Sequence, residues 1–120
     1  MATNTWVIMQ GQTGAVRTGT LSDASGAVDL SVFDSVHVIA SRSTTAAPVI
    51  DEAVTIAVNQ VTNRGEFSYT FSVDAAAIPV NRTGYLLSFK CMDGATAFYF
   101  PLNRRSEQTY GKLVVQEPLS

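Results

Sequence analysis

The sequence of 120 residues contains one cysteine, Cys91, and one histidine, His37. A single cysteine excludes an intramolecular disulfide and a zinc site built from several cysteines. Charged residues make up 15% of the chain, against about 25% in a typical globular domain. The formal net charge is −2, and nucleic-acid binders depend on many cations placed against phosphates. We therefore expect no nucleic-acid partner.

Long apolar runs are also missing, since none approaches the roughly 20 residues of a membrane-spanning helix. The first residues, Met1 to Trp6, lack the basic and apolar pattern of a secretory signal. We therefore expect no membrane partner and synthesis in a cytosol. Hydrophobic residues make up 46%, too many for a disordered chain with so few charges. A mean hydropathy of +0.14 with so little charge indicates that part of the surface is covered in use.

Apolar residues instead alternate with polar ones at a period of two, which is typical of β-strands. The clearest case runs from Glu66 to Val73. Further strands are predicted around Trp6–Met9, Val16–Leu21, Ser35–Ala40, Ala53–Val58, Tyr85–Cys91, Thr96–Phe100 and Lys112–Gln116. Asp93-Gly94 predicts a tight hairpin. Ala75–Ile78 is stopped by Pro79, so it predicts at most one helical turn.

The pattern predicts an all-β chain: one immunoglobulin-like antiparallel β-sandwich domain over residues 1–120, with Greek-key connections and about seven to nine strands. A small barrel is the alternative, but strands with two distinct faces favour two packed sheets. The central core should contain the large residues on the apolar faces. These are Phe67, Tyr69, Phe71, Leu87, Phe89 and Phe98. Ala53–Val58 should turn Val54, Ile56 and Val58 to one side.

Few residues offer chemistry. His37 lies in a strand pattern with no carboxylate or nucleophile that the sequence can place beside it. Cys91 shares the apolar face of its strand, which predicts an inert buried thiol. Asp51-Glu52 beside Asp23 or Asp29 does not have the spacing of a calcium-binding EF-hand. We therefore predict a chain that is not an enzyme, with no catalytic residue, cofactor, metal or small-molecule substrate.

Candidate contact residues lie at the ends of the strand pattern. Arg and Tyr are enriched at the energetic centres of interfaces, and the longest stretch without alternation, residues 102–111, carries both. Trp6 either anchors an interface or caps the core, and Tyr99 points opposite Phe98 and Phe100. Leu86, Met92 and Tyr99 should form an apolar outer face that favours association. The predicted partner-contact residues are Trp6, Met9, Tyr99, Arg104, Arg105 and Tyr110.

The order of landmarks along the chain is more informative than any one of them. The landmarks are Gln10-Gly11-Gln12-Thr13-Gly14, Leu21-Ser22-Asp23 through Gly26 to Asp29-Leu30, Asn63-Arg64-Gly65-Glu66-Phe67-Ser68-Tyr69, Thr83-Gly84-Tyr85 through Phe89, and Phe100-Pro101. In this order the chain resembles the immunoglobulin-like N-terminal domain of bacteriophage upper baseplate proteins. That family carries a longer C-terminal region than the present chain.

The resemblance implies a non-catalytic virion structural or interaction protein in a baseplate, tail or capsid. Its partners would be other virion proteins and copies of itself, and its location the virion after synthesis in the host cytoplasm. The alternative is a β-sandwich module that binds carbohydrate or a host surface, which would need an exposed aromatic pair such as Trp6 and Tyr99.

The landmark positions also have structural roles. Gly11, Gly26, Gly65 and Gly84 should supply positive φ or a close backbone approach at strand ends. Asp29 should bond the backbone of a turn while Leu30 closes the end of the core. Tyr85 should bond backward along the chain as a tyrosine corner.

Overall fold

Strands dominate the computed structural model, which describes residues 5–23, 26–101 and 111–118. The strands are β1 (Thr5–Met9), β2 (Val16–Thr20), β3 (Ser22–Asp23), β4 (Gly26–Ala27), β5 (Ser35–Ser41), β6 (Ile50–Ala53), β7 (Thr55–Ile56), β8 (Glu66–Thr70), β9 (Asn81–Asp93), β10 (Thr96–Pro101) and β11 (Gly111–Gln116). The helical elements are one 3-10 turn, Leu30–Val32, and one short helix, α1 (Val73–Ala76). The all-β class is confirmed. The strands outnumber the prediction because β3, β4 and β7 are only two residues long.

The strands form two sheets that pack face to face and a small β3–β4 hairpin. The large sheet has the order β1-β11-β9-β5-β6, with β10 also paired to β9, and the small sheet has the order β2-β8-β7. β1 runs parallel to β11, so the prediction of a purely antiparallel sandwich is wrong at this pair. Tight hairpins force antiparallel neighbours, whereas β1 and β11 are joined through the rest of the chain and are free of that constraint.

The long strand β9 organises the large sheet. Along one edge it pairs with β5, from Ser35 opposite Met92 to Ser41 opposite Leu86. Along the other edge β10 covers the second half of β9 and β11 covers the first half. Pro101 pairs with Ser88 and Gly111 with Leu87, so β10 and β11 follow one another along a single line.

Local turn chemistry matches several predictions. β9 and β10 form the predicted hairpin, in which Asp93 pairs with Thr96 and Gly94 has a φ of 62°. The single helix begins after its N-cap Ser72 and ends at Ala76, shortly before Pro79, as one helical turn. The predicted Ala53–Val58 strand instead divides, because the chain crosses from β6 in one sheet to β7 in the other. Val58 is consequently fully exposed, and its predicted facing is wrong.

Aromatic rings fill the space between the sheets. Phe67 of the small sheet meets Phe89 of the large sheet at a centroid distance of 4.7 Å. Trp6 lies parallel to Tyr69 at 6.3 Å and edge-on to Phe71 at 6.2 Å. The prediction that Phe67, Tyr69, Phe71, Leu87 and Phe89 are buried is confirmed.

Phe98 is the exception among the predicted core residues, at 43% exposure. Phe98 projects from the inward-facing side of β10, where its paired residue on β9 is Cys91. The aromatic ring next to it is that of Phe33, at a centroid distance of 5.8 Å. Phe33 also contacts Phe100, at 6.2 Å. The three rings form a satellite cluster next to the main core, because the short strands of the small sheet do not supply a large partner for Phe98.

The predicted turn devices are present. Gly11, Gly26, Gly65 and Gly84 all have positive φ. At Gly65 the close approach is severe, since a Cβ there would lie 2.5 Å from the backbone oxygen of Leu21. In the predicted Asp29 turn, Ser31 N donates a hydrogen bond to Asp29 Oδ1 at 2.9 Å, and the adjacent Leu30 is fully buried. At the predicted tyrosine corner, the Tyr85 hydroxyl donates to Pro79 O at 2.5 Å.

Candidate interaction surface

The thiol of Cys91 lies within the core. Cys91 has no exposed surface, and burial raises the pKa of its thiol to about 12. A thiolate is the reactive form of cysteine, so this residue stays protonated and unreactive at neutral pH. The prediction of an inert buried thiol is confirmed.

His37 lies on the outer face of the large sheet and has a partner. Its Nδ1 is 2.8 Å from Asp51 Oδ1, and the two side chains are 38% and 51% exposed. The contact is diagonal, because β5 and β6 pair His37 with Ala53 and Ile39 with Asp51. The sequence did not reveal this carboxylate, since the contact depends on the β5–β6 register.

A carboxylate also faces inward at the edge of the core. Glu52 of β6 accepts hydrogen bonds from the Tyr69 hydroxyl and from Ser72 Oγ, at 2.8 Å for Oε2. Burial, together with the neighbouring Glu52, raises the pKa of Tyr69. Ser72 Oγ in turn accepts from Ala75 N at the start of α1. The network therefore joins the two sheets and the helix, a structural role for each of its groups.

Gln60 is the polar residue that the sequence analysis missed. Its side chain is 6% exposed, and its Oε1 accepts from Leu30 N and Gly65 N, each at 2.9 Å. Its Nε2 donates to Ala57 O at 2.9 Å. One amide therefore holds the turn before β8 against the 3-10 turn. No local sequence pattern separates such a glutamine from one in an exposed loop.

Arg17 links the edges of the two sheets. It lies on β2, an edge strand of the small sheet, and donates from Nη1 to Val16 O at 2.9 Å. Its Nη2 donates to Val7 O on β1, the edge strand of the large sheet, at 2.6 Å. Unpaired edge groups invite pairing with foreign strands, so this side chain partly closes the open side of the sandwich.

The outer face of the large sheet is broad and carries apolar residues among a few charged ones. Residues in paired positions form rows across it: Tyr99, Lys90, His37 and Ala53 in one row, and Ala97, Met92 and Ser35 in the next. Ser88, Ile39 and Asp51 form a third row, and Lys112, Leu86 and Ser41 a fourth. Four strands about 4.8 Å apart and about seven residues long cover roughly 19 by 23 Å. On this face apolar side chains are mixed with the titratable residues Lys90, His37, Asp51 and Lys112.

The predicted contact residues fall in three classes. Tyr99, at 63% exposure, and Met9, at 41%, lie on the surface. Trp6 is 5% exposed and touches four core rings, so its assignment to a partner interface is wrong and it caps the core instead. The last class, Arg104, Arg105 and Tyr110, lies outside the described residues, and their contacts stay a prediction.

Leu86 and Met92, predicted on the outer face, do lie there, both half-buried. With Trp6 in the core, Tyr99 lacks the aromatic partner that the carbohydrate-binding alternative assigned to it.

A shallow groove of about 520 Å³ lies over the small sheet. Its outward-facing residues are mostly hydroxylic, among them Thr18, Thr55 and Ser68, with the carboxylate of Glu66. The aromatic residue of the lining is Phe67, which is 3% exposed and turned to the core. A flat ring on which a sugar can stack is therefore missing from the lining of this groove.

Over the described ranges, no three His, Cys, Asp or Glu side chains converge as metal ligands. Across that same part of the chain, none of the helical segments has the length and apolar content to span a bilayer.

The comparisons with protein-family models, with curated proteins and with solved structures gave no match.

Proposed function

We propose that this chain is a non-catalytic structural and interaction subunit of a bacteriophage particle, in its baseplate, tail or capsid. The interaction role is carried by the outer face of the large sheet, which is broad and bears the exposed Tyr99 together with Leu86 and Met92. The phage setting, with other virion proteins and copies of the chain as partners, rests on the resemblance of the landmark order to upper baseplate proteins.

We further propose that the sandwich is of the immunoglobulin-like, Greek-key type. In variable-type immunoglobulin domains the sheet that contains the last two strands is extended by further strands. Here β10, β11 and β9 share a sheet with β5 and with the additional edge strand β6. The bond from Tyr85 back to Pro79 O, next to the short helix between β8 and β9, supports a tyrosine corner at the equivalent turn.

Three described groups that could serve in catalysis have structural uses instead, which supports a role without catalysis. Cys91 is sealed in the core, Glu52 binds two hydroxyl groups, and His37 pairs with Asp51 on an open sheet face. A catalytic acid, base or nucleophile needs a partner and a cleft that holds substrate. Cys91, Glu52 and His37 instead contribute to the packing and hydrogen bonding of the fold itself.

The decisive experiment is mass spectrometry of purified phage particles from a culture that produces this chain. We expect its peptides in a constant ratio of several copies per particle, through all purification steps. Recovery only from the particle-free lysate would contradict the proposal. A glycan array addresses the carbohydrate alternative, for which specific binding by the isolated chain would be the deciding result.

A further inference from the structure

Lys90 lies near the middle of the outer face of the large sheet. It projects from β9, the central strand, and is only partly exposed. Ion pairs between described residues join His37 to Asp51 and Arg82 to Glu117, and Lys90 takes part in neither. A lysine in this position keeps its ammonium group hydrated only while the face stays uncovered.

Among the described residues, the rows around Lys90 contain no carboxylate that is free to serve as its counter-charge. Its neighbours in the paired positions are Tyr99 on β10 and His37 on β5. The carboxylate on this face is that of Asp51, which already binds His37 Nδ1 at 2.8 Å. Burying a charge without a counter-charge is costly, whereas a charge-assisted hydrogen bond to a carboxylate compensates much of that cost. Any chain that covers this face therefore has to bring an acceptor to Lys90.

The side chains that flank Lys90 also favour a carboxylate as the ligand. Tyr99 is 63% exposed, and its hydroxyl can donate a hydrogen bond while its ring offers apolar area. Neighbouring strands lie about 4.8 Å apart, so Tyr99 and Lys90 can reach one carboxylate together. The adjacent rows contribute the apolar side chains of Met92 and Ile39, and Leu86 lies one row further away.

We propose that the row Tyr99–Lys90–His37 anchors an aspartate or glutamate of a different protein chain, whose surrounding surface is apolar. This inference rests on the proposed function and names the chemistry of the partner at the same face. A second copy of the chain is a poorer match, because the described carboxylate on its equivalent face, that of Asp51, already binds His37. The occupant is therefore another virion protein that presents a carboxylate.

A random 12-residue peptide library selected against the full chain tests this partner chemistry. We expect peptides with Asp or Glu among apolar residues to be enriched by the native protein. Synthetic copies of these peptides should bind Lys90→Met about tenfold more weakly, the effect of losing one charge-assisted hydrogen bond. Selection against Lys90→Glu should instead enrich Lys or Arg at the same peptide position.

Lys112→Met is the matched control, since Lys112 lies on the same face but outside the Tyr99–Lys90–His37 row, and it should leave binding nearly unchanged. Thermal unfolding of each variant checks that the fold is retained. Failure to enrich peptides, enrichment without acidic residues, or equal binding by Lys90→Met would overturn the proposal. A dimer in sedimentation equilibrium that Tyr99→Ser abolishes would overturn it as well, because the occupant would then be a second copy.

The two proposals fail in different ways. Absence of the chain from particles would remove the virion role while carboxylate recognition at Lys90 could still be measured. Loss of the peptide result would leave particle incorporation standing and move the contact surface elsewhere.

Discussion

The two sheets bury similar inner faces but present different outer faces to solvent. The outer face of the large sheet carries the apolar residues Val7, Met9, Leu86, Met92 and Tyr99, interspersed with Lys90, Lys112, His37 and Asp51. The outer face of the small sheet carries mainly hydroxyl groups, as at Thr18, Thr20, Thr55, Ser68 and Thr70. Both sheets satisfy the same alternation, since each contributes its inner side to one aromatic core. The difference therefore does not come from the requirements of the core, and it is the reason why we propose the large sheet as the side that meets a partner.

The two sheets also differ in how they are held. The large sheet depends on β9, a strand of 13 residues that pairs with β10 and β11 along one edge and with β5 from Leu86 to Met92 along the other. The small sheet has short strands and depends on side chains that reach it from outside, namely Gln60 at the turn before β8 and Glu52 from β6. Truncation of apolar residues should therefore be most harmful at β9, and loss of polar contacts should be most harmful around β8.

The largest effect is expected for Phe89→Ala. Phe89 has no exposed surface and contacts Phe67 of the opposite sheet at 4.7 Å. Large truncations in a core cost about 3–5 kcal/mol, from lost transfer energy and the cavity that remains. Urea titration measures this change in the free energy of unfolding. Phe98→Ala is the control, because a ring that is 43% exposed should cost much less. Equal losses for both variants would show that the satellite cluster belongs to the core.

Gln60→Ala should follow, with a loss of about 2–4 kcal/mol, because two buried backbone N–H groups lose their acceptor at about 1–2 kcal/mol each, the lower part of the range for an unsatisfied buried donor. These groups belong to Leu30 and Gly65. Gln10→Ala serves as the control, since Gln10 makes one part-buried bond, to Ile78 O at 3.2 Å. Equilibrium unfolding in urea gives both values. A loss for Gln60→Ala no greater than for Gln10→Ala would mean that solvent replaces the lost acceptor.

The smallest effect concerns alkaline pH and compares the native protein with Cys91→Ala. In the unfolded chain the cysteine ionises near its reference pKa of 9.0, whereas in the fold burial raises the pKa to about 12. The unfolded state alone then releases the proton, so the stabilisation is complete below pH 9 and is lost as pH rises toward 12. The slope contributed by one group is about 1.4 kcal/mol per pH unit.

The measurement is the free energy of unfolding from pH 8 to 10, before the tyrosines of the unfolded chain ionise fully. Cys91→Ala should show a flatter dependence on pH across this interval, whatever its stability at pH 7. Identical slopes in the two proteins would show that the thiol ionises equally in the folded and unfolded states.

Much of the fold could be predicted from local pattern. Alternation located the strands around Trp6–Met9 and Ser35–Ala40, and turn residues located the hairpin at Gly94. The strand predicted from Glu66 to Val73 ends at Thr70, because Val73 begins the short helix and is exposed. The positive φ of Gly65 and Gly84, the Asp29 turn and a backward bond from Tyr85, which proves to end at Pro79 O, were predicted as well. Each of these features depends on neighbours close in sequence, which is why sequence reasoning reaches them.

The errors arose where the outcome depends on distant pairing. Phe98 follows its strand pattern correctly but lacks a large partner across the sandwich, so it remains half-exposed. Val58 lies after the point where the chain crosses from one sheet to the other, and the alternation of apolar residues does not reveal such a crossing. For Trp6 the sequence allowed two roles, an interface anchor or a cap of the core. Its contacts with four core rings, which belong to other segments of the chain, decided for the cap.

For the candidate surface, the sequence by itself determined which residues point outward. A period of two places Leu86, Met92 and Tyr99 on the side of their strands opposite to the inward-facing Leu87, Cys91 and Phe98. Only the tertiary structure decided which of them become neighbours. Strand order and register brought Tyr99, Lys90 and His37 into one row. They also placed Asp51 within bonding distance of His37 and left Lys90 outside the described ion pairs. The physical reason is that backbone hydrogen bonds between strands act across long stretches of chain, and a shift of one residue in any register would assemble a different surface.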